Sequence, residues 1–305
     1  MTDMLLQQLL NCITLGSIYA LIALGFSLLF GMLNIIHFSH GDVSLLSPFL
    51  ALGAVQALGT ALGAAPGGMS FFLILVGAIV LTGVIGLLLD ALVIQRFRDA
   101  PVMMALVATV ALGIVLRELI RHLFPNGSNP HSFPRFITGT LDVFGFPVPI
   151  FNAAVILVSI LSVGGLFLLL NRTRLGLQIR AVSHDREAAR LMSINPSRIF
   201  RVTFFIASAI GAIGGLFFSS YASVVRFDFS VEVGLIGFSA AVVGGLGSMP
   251  GAIVGSLLIA VLDTFVQAVV PHGASYRLVF VFSLVIGILI FRPSGLFGKT
   301  IVEKV

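Results

Sequence analysis

The sequence predicts an all-α fold, a polytopic membrane helix bundle of about eight transmembrane helices with Gly-rich broken or re-entrant segments. The first observation is composition: 58% of the 305 residues are hydrophobic and 10% are charged, whereas soluble domains carry about 25% charged residues. The second is the glycine content of 33 residues, which suits closely packed membrane helices. So little charge argues against a soluble enzyme, a nucleic-acid-binding domain and a disordered chain.

Eight apolar segments are long enough to cross a bilayer, which takes about 20 residues. In chain order they are Leu9–Leu33, Val43–Gly63, Phe71–Ile94, Val102–Leu123, Phe151–Leu170, Phe200–Val224, Leu235–Val270 and Tyr276–Phe291. The first segment follows no basic region, so it is predicted to be a retained helix and not a signal peptide. The seventh is interrupted by the Gly-rich run 244–251, which predicts a half-helix followed by a full helix.

The basic residues predict the orientation. Seven of the 17 Lys and Arg residues lie between Arg172 and Arg201, and loops rich in Lys and Arg stay in the cytoplasm. The segment of about 171–199 is therefore predicted to be cytoplasmic, and the loop of about 124–150, which holds five of the 12 prolines, is predicted to be external. The same count places the C-terminal basic residues inside: Arg292, Lys299 and Lys304.

The two interruptions, 34–42 and 244–251, supply candidates for a translocation pathway. Irregular backbone at membrane depth is tolerated only where protein or a cavity surrounds it. Asp263 lies deep in an apolar segment, where an unpaired charge costs a few kcal/mol, so it is a pathway residue or a helix-bundle contact. The candidate pathway residues are Tyr19, His37, Phe38, His40, Gly41, Asp42, Gly244, Gly245, Gly247, Ser248 and Asp263.

Other polar residues in apolar segments allow two readings. The spacing of His37 and His40 suits a proton relay or a metal site, but no third ligand is nearby, and hydrogen bonding within an irregular segment explains the pair equally. Glu118 lies between two arginines and is predicted to form a self-contained charge cluster with them. Asp90 is predicted to lie close to Arg96.

The spacings Gly211/Gly215 and Gly251/Gly255 predict close helix approach.

Within the predicted cytoplasmic segment, residues 183–196 predict a short helix. Ser183 is the expected N-cap and Pro196 the expected stop. Ala188, Leu191 and Met192 fall on one face with no core of their own chain beneath them. That face needs a partner, either the lipid interface or another protein.

Several strings resemble the branched-chain amino acid permeases of ABC importers, of the LivH type. The strings are Gly16–Gly25, Phe38-Ser39-His40-Gly41-Asp42, Arg174-Leu175-Gly176, Glu187-Ala188-Ala189, Ile194-Asn195, Ala240–Ala252 and Pro293–Gly298. They span almost the whole chain in the family's order. This sequence departs from the family's pattern at Ser193, where glycine is usual, at His37, where asparagine is usual, and at Ser47-Pro48, where a small-residue turn is usual.

The resemblance implies a single permease domain over residues 1–305 in the bacterial inner membrane. Its implied function is import of branched-chain or related hydrophobic amino acids, driven by ATP and Mg on partner subunits, with no catalytic residue, cofactor or metal on this chain. Its implied partners are a second related permease, two ABC ATPases, a periplasmic solute-binding protein and membrane lipid, without nucleic acid. The residues implied to couple to the ATPases are Arg180, Asp185, Glu187, Ala188, Ala189, Leu191, Ser193 and Asn195.

Three alternatives stay open. A permease of the same family can carry urea or short amides. A stand-alone secondary transporter or channel would use His40 and Asp263 as an ion path. An integral-membrane enzyme would need a clustered acidic or Ser/His constellation, which the sequence does not show, and the chain has no G-x-x-x-x-G-K-[ST] loop with which to bind ATP itself.

Overall fold

The computed structural model describes residues 2–62, 68–98, 100–135, 137–143 and 146–298. Its helices are α1 (Thr2–Leu33), α2 (His40–Ser44), α3 (Leu46–Leu62), α4 (Gly68–Leu92), α5 (Val102–Leu123), α6 (Ile150–Arg172), α7 (Arg174–His184), α8 (Arg186–Leu191), α9 (Pro196–Ala222), α10 (Phe229–Gly244), α11 (Met249–Val269) and α12 (Gly273–Phe291). A 3-10 helix, Ile94–Phe97, follows α4. Three residues used for the predictions, Gly63, Lys299 and Lys304, lie outside the described residues.

Eight helical stretches among the described residues are long and apolar enough to cross a membrane, which confirms the predicted fold class and number. They are Leu5–Leu33, His40–Gly59, Gly68–Phe97, Val102–Leu123, Ile150–Arg172, Pro196–Ala222, Met249–Val269 and Gly273–Phe291. The seventh predicted segment contains two helices, α10 and α11. Helix α10 begins at Phe229, ahead of the predicted Leu235, and its 16 residues span about 24 Å at 1.5 Å per residue.

Helix α1 lies at the centre of the bundle. It packs against α6, α9, α10 and α11, and the side chains from Ile18 to Leu24 are buried. By contrast, α12 buries only Gly273 and Val281, and apolar side chains such as Val279, Ile286 and Ile290 are exposed. An apolar helix with one buried face and one exposed apolar face suits contact with lipid or with another membrane subunit.

Glycines set the close approach of α10 to α11. A Cβ atom at Gly255 would lie 2.2 Å from the carbonyl oxygen of Ala240, and one at Gly251 would lie 2.3 Å from the carbonyl oxygen of Gly244. Both glycines belong to the small-residue spacing that predicts close packing. The prediction is confirmed for this pair, because backbone atoms of α10 occupy the space that a side chain would need.

The segment 124–150 contains short strands as well as loop. Strand β2 (Thr140–Val143) pairs antiparallel with β3 (Phe146–Pro149) as a hairpin. Strand β1 (His131–Ser132) pairs antiparallel with β4 (Val224–Val225), which follows α9. The proline-rich segment therefore contains short strands at one end of the bundle. We name this end the β end. The opposite end, which carries α7 and α8, is the α7–α8 end.

Asp90 pairs with Arg98 and not with the predicted Arg96. Both side chains are almost fully buried, and the Arg98 guanidinium lies over the Phe200 ring at 4.0 Å from its centroid. The 3-10 helix Ile94–Phe97 turns the chain back towards α4, so the residue eight positions along reaches the carboxylate. A sequence spacing read as a continuing helix misses this turn.

Replacing Gly255 by alanine tests the α10–α11 contact. Because the new methyl group would meet the Ala240 carbonyl at 2.2 Å, we expect Gly255→Ala to destabilise the fold by about 1–3 kcal/mol. The measurement is the thermal unfolding midpoint of the purified protein in detergent. Gly287→Ala on α12 is the matched control, since nothing lies within 4 Å of that Cβ position. Equal midpoints for the two variants would contradict the packing described.

Candidate translocation site

The first interruption of the membrane helices is tied into the bundle by side-chain hydroxyl groups. It begins after Leu33, where Asn34 adopts a left-handed φ of 55°. Ser47 Oγ lies 2.9 Å from the carbonyl oxygen of Ser44 and 2.8 Å from that of Ala212 on α9. Such bonds replace the water that a bilayer lacks, so the short helix α2 stays inside the protein.

His37 and Phe38 are held in the irregular stretch before α2. The Nε2 atom of His37 lies 3.3 Å from Ser39 Oγ, and the Phe38 amide donates to Thr109 Oγ1 on α5 at 3.3 Å. His37 is buried, and its ring packs edge-on against Phe204. These contacts fix the chain between α1 and α2.

His40 fills a slot between two glycines. A Cβ atom at Gly25 on α1 would lie 2.0 Å from its Nε2 atom, and one at Gly211 on α9 would lie 3.0 Å from the same atom. The ring also meets Phe26 edge-on at a centroid distance of 4.8 Å. Among the described residues, neither ring nitrogen meets hydrogen-bond geometry with a partner. His40 therefore holds α2 against α1 and α9 through van der Waals contacts of its ring.

Asp42 is brought to α5. Its Oδ2 atom lies against Gly113, where a Cβ atom would be 2.2 Å away, and its Oδ1 atom is 3.2 Å from Arg117 Nε. The prediction of a self-contained cluster around Glu118 was thus wrong for Arg117, because the first interruption carries a carboxylate to it across the bundle. Glu118 pairs only with its exposed neighbours Arg121 and His122 among the described residues.

Two contacts fix Gly41 and the start of α10. A Cβ atom at Gly41 would lie 2.5 Å from the Gly234 Cα atom and 3.0 Å from the Ser230 carbonyl oxygen. The two backbones cross at these glycines, so α2 lies directly against the first half of α10. The Asp42 side chain leaves this crossing towards α5.

The second interruption is a glycine turn between α10 and α11. Gly245 and Gly247 have positive φ angles of 105° and 82°, which glycine adopts without steric cost. Ser248 is the N-cap of α11 and accepts a hydrogen bond from the Gly251 amide at 3.2 Å. Gly244 accepts from the Phe297 amide at 2.9 Å, so the segment after α12 completes the turn.

The last turn of α1, just before the first interruption, meets the second interruption at the α7–α8 end. A Cβ atom at Gly31, near the end of α1, would lie 3.3 Å from the Gly247 Cα atom. Beside this contact is a cavity of about 330 Å³, which we name the α7–α8 cavity. Its lining includes Gly31, Met32, Arg180, Ser183, Gly247 and Ser248.

Tyr19 and Asp263 belong to a buried polar cluster that joins four helices. Tyr19 donates its hydroxyl hydrogen to Asp263 Oδ2 at 2.8 Å. Arg277 Nη2 donates to the Tyr19 hydroxyl at 3.0 Å, and Arg277 also pairs with Glu232 at 3.0 Å and with Asp263 at 3.4 Å. Gln267 donates to the remaining Asp263 oxygen at 2.8 Å. Both carboxylate oxygens of Asp263 therefore have partners, and Asp263 is a contact between helices of the bundle.

The segment after α6 forms two helices, where the sequence predicts one that starts at Ser183. Asp185 is the N-cap of α8 and accepts from the Glu187 and Ala188 amides at 2.8 and 3.0 Å. The Ser183 hydroxyl instead donates to the Gly31 carbonyl. Pro196, the predicted stop, is the first residue of α9, a position that proline favours. The carboxylate of Asp185 is the stronger cap because it accepts from two amides.

Helix α8 leaves an apolar face uncovered within this chain. Leu191 and Met192 are 86% and 77% exposed, whereas Ala189 is buried. The predicted face of Ala188, Leu191 and Met192 is thus uncovered by this chain, while Ala189 on the other side of the helix packs into the core. Ser193 has a left-handed φ of 61°, a conformation that glycine adopts without steric cost, which is the backbone reason why glycine suits this position.

A family model described as the permease component of branched-chain amino acid transport systems matches residues 8–289. The chain belongs to this permease family. The permease is 30% identical to BraD, a high-affinity branched-chain amino acid transport system permease protein of Pseudomonas aeruginosa, over 98% of both chains.

Two LivH proteins are also similar to the permease. LivH of Escherichia coli K12 is 29% identical over 98% of this chain and 97% of its own. A probable LivH of Methanocaldococcus jannaschii is 25% identical over 94% of this chain and 91% of its own. The permease is thus a multi-pass membrane protein of a transport family. In the described part of the chain, no group of three His, Cys, Asp or Glu residues could hold a metal ion.

Two charged residues of the permease's polar clusters, Glu232 and Arg277, were not singled out from the sequence, and for Arg117 the partner Asp42 was missed. Each lies in or beside an apolar segment, where an ionisable residue is a functional or bonding candidate. Arg277 in particular stands alone near the start of the eighth apolar segment. A search for every isolated charge in such segments would have found it.

Removing Arg277 tests the polar cluster. Arg277→Met leaves Asp263 and Glu232 without their cation, so we expect a destabilisation of about 3–5 kcal/mol, as for a buried pair that loses one partner. The measurement is the thermal unfolding midpoint in detergent. Arg277→Met combined with Asp263→Asn is expected to recover part of the loss.

Arg226→Met is the matched control for this experiment. Its partner Asp228 is half-exposed, as Arg226 is, so the change is expected to cost about 0–1 kcal/mol. A midpoint for Arg277→Met equal to that of Arg226→Met would contradict the cluster's structural role.

Proposed function

We propose that this chain is the membrane-spanning permease subunit of an ATP-driven importer of branched-chain or related hydrophobic amino acids in a bacterial inner membrane. The full-length similarity to BraD and LivH supports the substrate class. The basic residues around α7 and α8 support a cytoplasmic position for the α7–α8 end, which places the β end outside.

The observation that carries the proposal is the position of α8. Leu191 at its end and the C-cap Met192 are exposed. Its first residue, Arg186, and Ser183 of α7 are bonded to the end of α1 just before the first interruption. The Ser183 hydroxyl donates to the Gly31 carbonyl, and Arg186 Nη2 donates to the Leu33 carbonyl at 3.3 Å. A force on α8 therefore reaches the interruption through two hydrogen bonds.

In this proposal, two ABC ATPase subunits bind to α8, and they bind and hydrolyse ATP with Mg. Coupling requires that each ATPase state favours a different state of the permease. The contact of Gly31 with Gly247 joins the end of α1, which leads into the first interruption, to the second interruption, so that both can move together. This proposal assigns the coupling role to Arg180, Asp185, Glu187, Ala188, Ala189, Leu191, Ser193 and Asn195.

The remaining partners follow from the same assignment. The outward apolar faces of helices such as α12 fit a second related permease and lipid, and a periplasmic binding protein would deliver substrate at the β end. The candidate pathway runs along the two interruptions between these ends.

Uptake by the assembled transporter tests the proposal. We expect proteoliposomes to accumulate leucine, isoleucine or valine when they contain this chain, the second permease, the ATPases and the binding protein. Accumulation should require ATP on the side of the membrane that the ATPases face. Accumulation of urea or short amides instead would reassign the substrate. Uptake by this chain alone, without ATP, would identify a secondary transporter or channel.

Placing a charge on α8 tests the coupling surface. Leu191→Asp puts an unpaired carboxylate into the proposed apolar contact, a cost of several kcal/mol, so we expect recovery of the ATPases with the permease to fall at least about tenfold. Co-purification in detergent measures this, and an unchanged unfolding midpoint shows that the bundle is intact. Leu141→Asp in β2, where the leucine is 50% exposed, is the control at the opposite end. Equal ATPase recovery for both variants would contradict the proposed docking.

A further inference from the structure

A small cleft opens between α2, α5 and α10, in the part of the bundle where the helices are broken. Its volume is about 140 Å³, below the roughly 300–1,000 Å³ of pockets for drug-sized ligands, so it suits a small solute. Its apolar lining comprises Phe26, Phe38, Val110, Val231 and Leu235. Its polar lining comprises Asp42, Arg117 and Ser230.

The charged pair lies inside the bundle and away from the helix ends. Arg117 precedes the last residue of α5, Leu123, by six positions, which is roughly 9 Å along the helix. Its side chain is 23% exposed and that of Asp42 is 10% exposed. Charges at such depth mark substrate pathways and face a cavity and not lipid.

Both members of the pair keep unused bonding capacity. Asp42 Oδ1 lies 3.2 Å from Arg117 Nε, yet it makes no hydrogen bond of good geometry with the described residues. Arg117 Nε also donates to the Gly113 carbonyl at 3.3 Å. No hydrogen bond of a terminal guanidinium nitrogen of Arg117 is found among the described residues, and those nitrogens are suited to hold a carboxylate in a bidentate fashion.

The charge balance selects the ligand. Asp42 and Arg117 together are neutral, so a ligand that carries one positive and one negative group adds no net charge to the buried site. A cation or an anion alone would leave one charge unmatched at a cost of several kcal/mol. The cleft therefore suits a zwitterion with an apolar side chain.

We propose that this cleft is an amino-acid subsite of the permease, in which Arg117 binds the carboxylate and Asp42 the ammonium group of the passing substrate. The apolar side chain lies among Phe26, Phe38 and Leu235. Gly113 leaves the space that the Asp42 carboxylate occupies, because a Cβ atom there would lie 2.2 Å from Oδ2. The close backbone contact of Gly41 with Gly234 holds α2, and with it Asp42, beside α10. This inference rests on the proposed function and adds the residues that recognise the substrate.

The first experiment measures leucine uptake by the assembled transporter in proteoliposomes. The variant Asp42→Asn with Arg117→Gln removes both charges while leaving no buried charge unpaired, so the bundle is expected to keep its unfolding midpoint and its ATPase association. We expect its leucine uptake to fall at least about tenfold, the loss of roughly one charge-assisted bond. Arg121→Gln, on the same helix but paired with Glu118 at the surface, is the matched control and should change uptake less than about twofold.

The second experiment locates the substrate. A diazirine analogue of leucine, photolysed during turnover of the assembled wild-type transporter, is expected to label peptides from α2, α5 and α10. The double variant should lose this labelling.

Each outcome separates the subsite from the proposed function. If the double variant takes up leucine as fast as the wild type does, the subsite is overturned while the proposed function stands, because Asp42 and Arg117 would then have only a structural role. Labelling of this chain only outside those helices would do the same. Absence of ATP-dependent amino acid uptake by the wild type would overturn the proposed function, and the subsite with it.

Discussion

Inside a bilayer, backbone groups have no water with which to bond, so a chain that leaves the helical conformation there must find partners within the protein. This constraint shapes the stretch from Asn34 to Leu45. The Ser44 hydroxyl bonds to the His40 carbonyl within it, Ser47 just after it lies 2.8 Å from the Ala212 carbonyl oxygen, and the glycines of α1, α9 and α10 let its backbone and His40 approach closely. His37, His40 and Asp42 of the break are buried, and the break brings Asp42 to Arg117 on α5.

Two clusters of charged residues flank helix α10. Ser230, in its first turn, lies in the cleft with Asp42 and Arg117. Glu232, two residues along, pairs with Arg277, which in turn joins Tyr19 and Asp263. The first cluster keeps free bonding groups beside a cleft, whereas in the second Asp263 is fully partnered. We infer that the first is for substrate and the second holds α1, α10, α11 and α12 together.

Much of this architecture could be predicted from the sequence, because hydrophobic length and glycine position are local signals. The eight spans and the turn at Gly245 and Gly247 follow from them. Pairings across the bundle could not be predicted, since they depend on where a break redirects the chain. The sequence predicted that Arg117 pairs with Glu118, whereas the first interruption brings Asp42 to it. The cap of α8 was misplaced for a related reason, because Ser183 and Asp185 are both good caps and only the contact of Ser183 with α1 decides between them. Membrane orientation, partners and substrate remain predictions supported by charge distribution and similarity.

The central claim, that the cleft beside α10 is an amino-acid subsite on the translocation pathway and is therefore reached by water-soluble molecules, is tested most directly by cysteine accessibility in the assembled transporter. With Cys12, the chain's one cysteine, replaced by serine, single cysteines would be placed at Val231, which lines the cleft, and at Ile160, an exposed apolar residue of α6. The account predicts that a charged, membrane-impermeant thiol reagent modifies Val231→Cys, that leucine with ATP changes the rate, and that Ile160→Cys does not react. A Val231→Cys that reacts no faster than Ile160→Cys would contradict it.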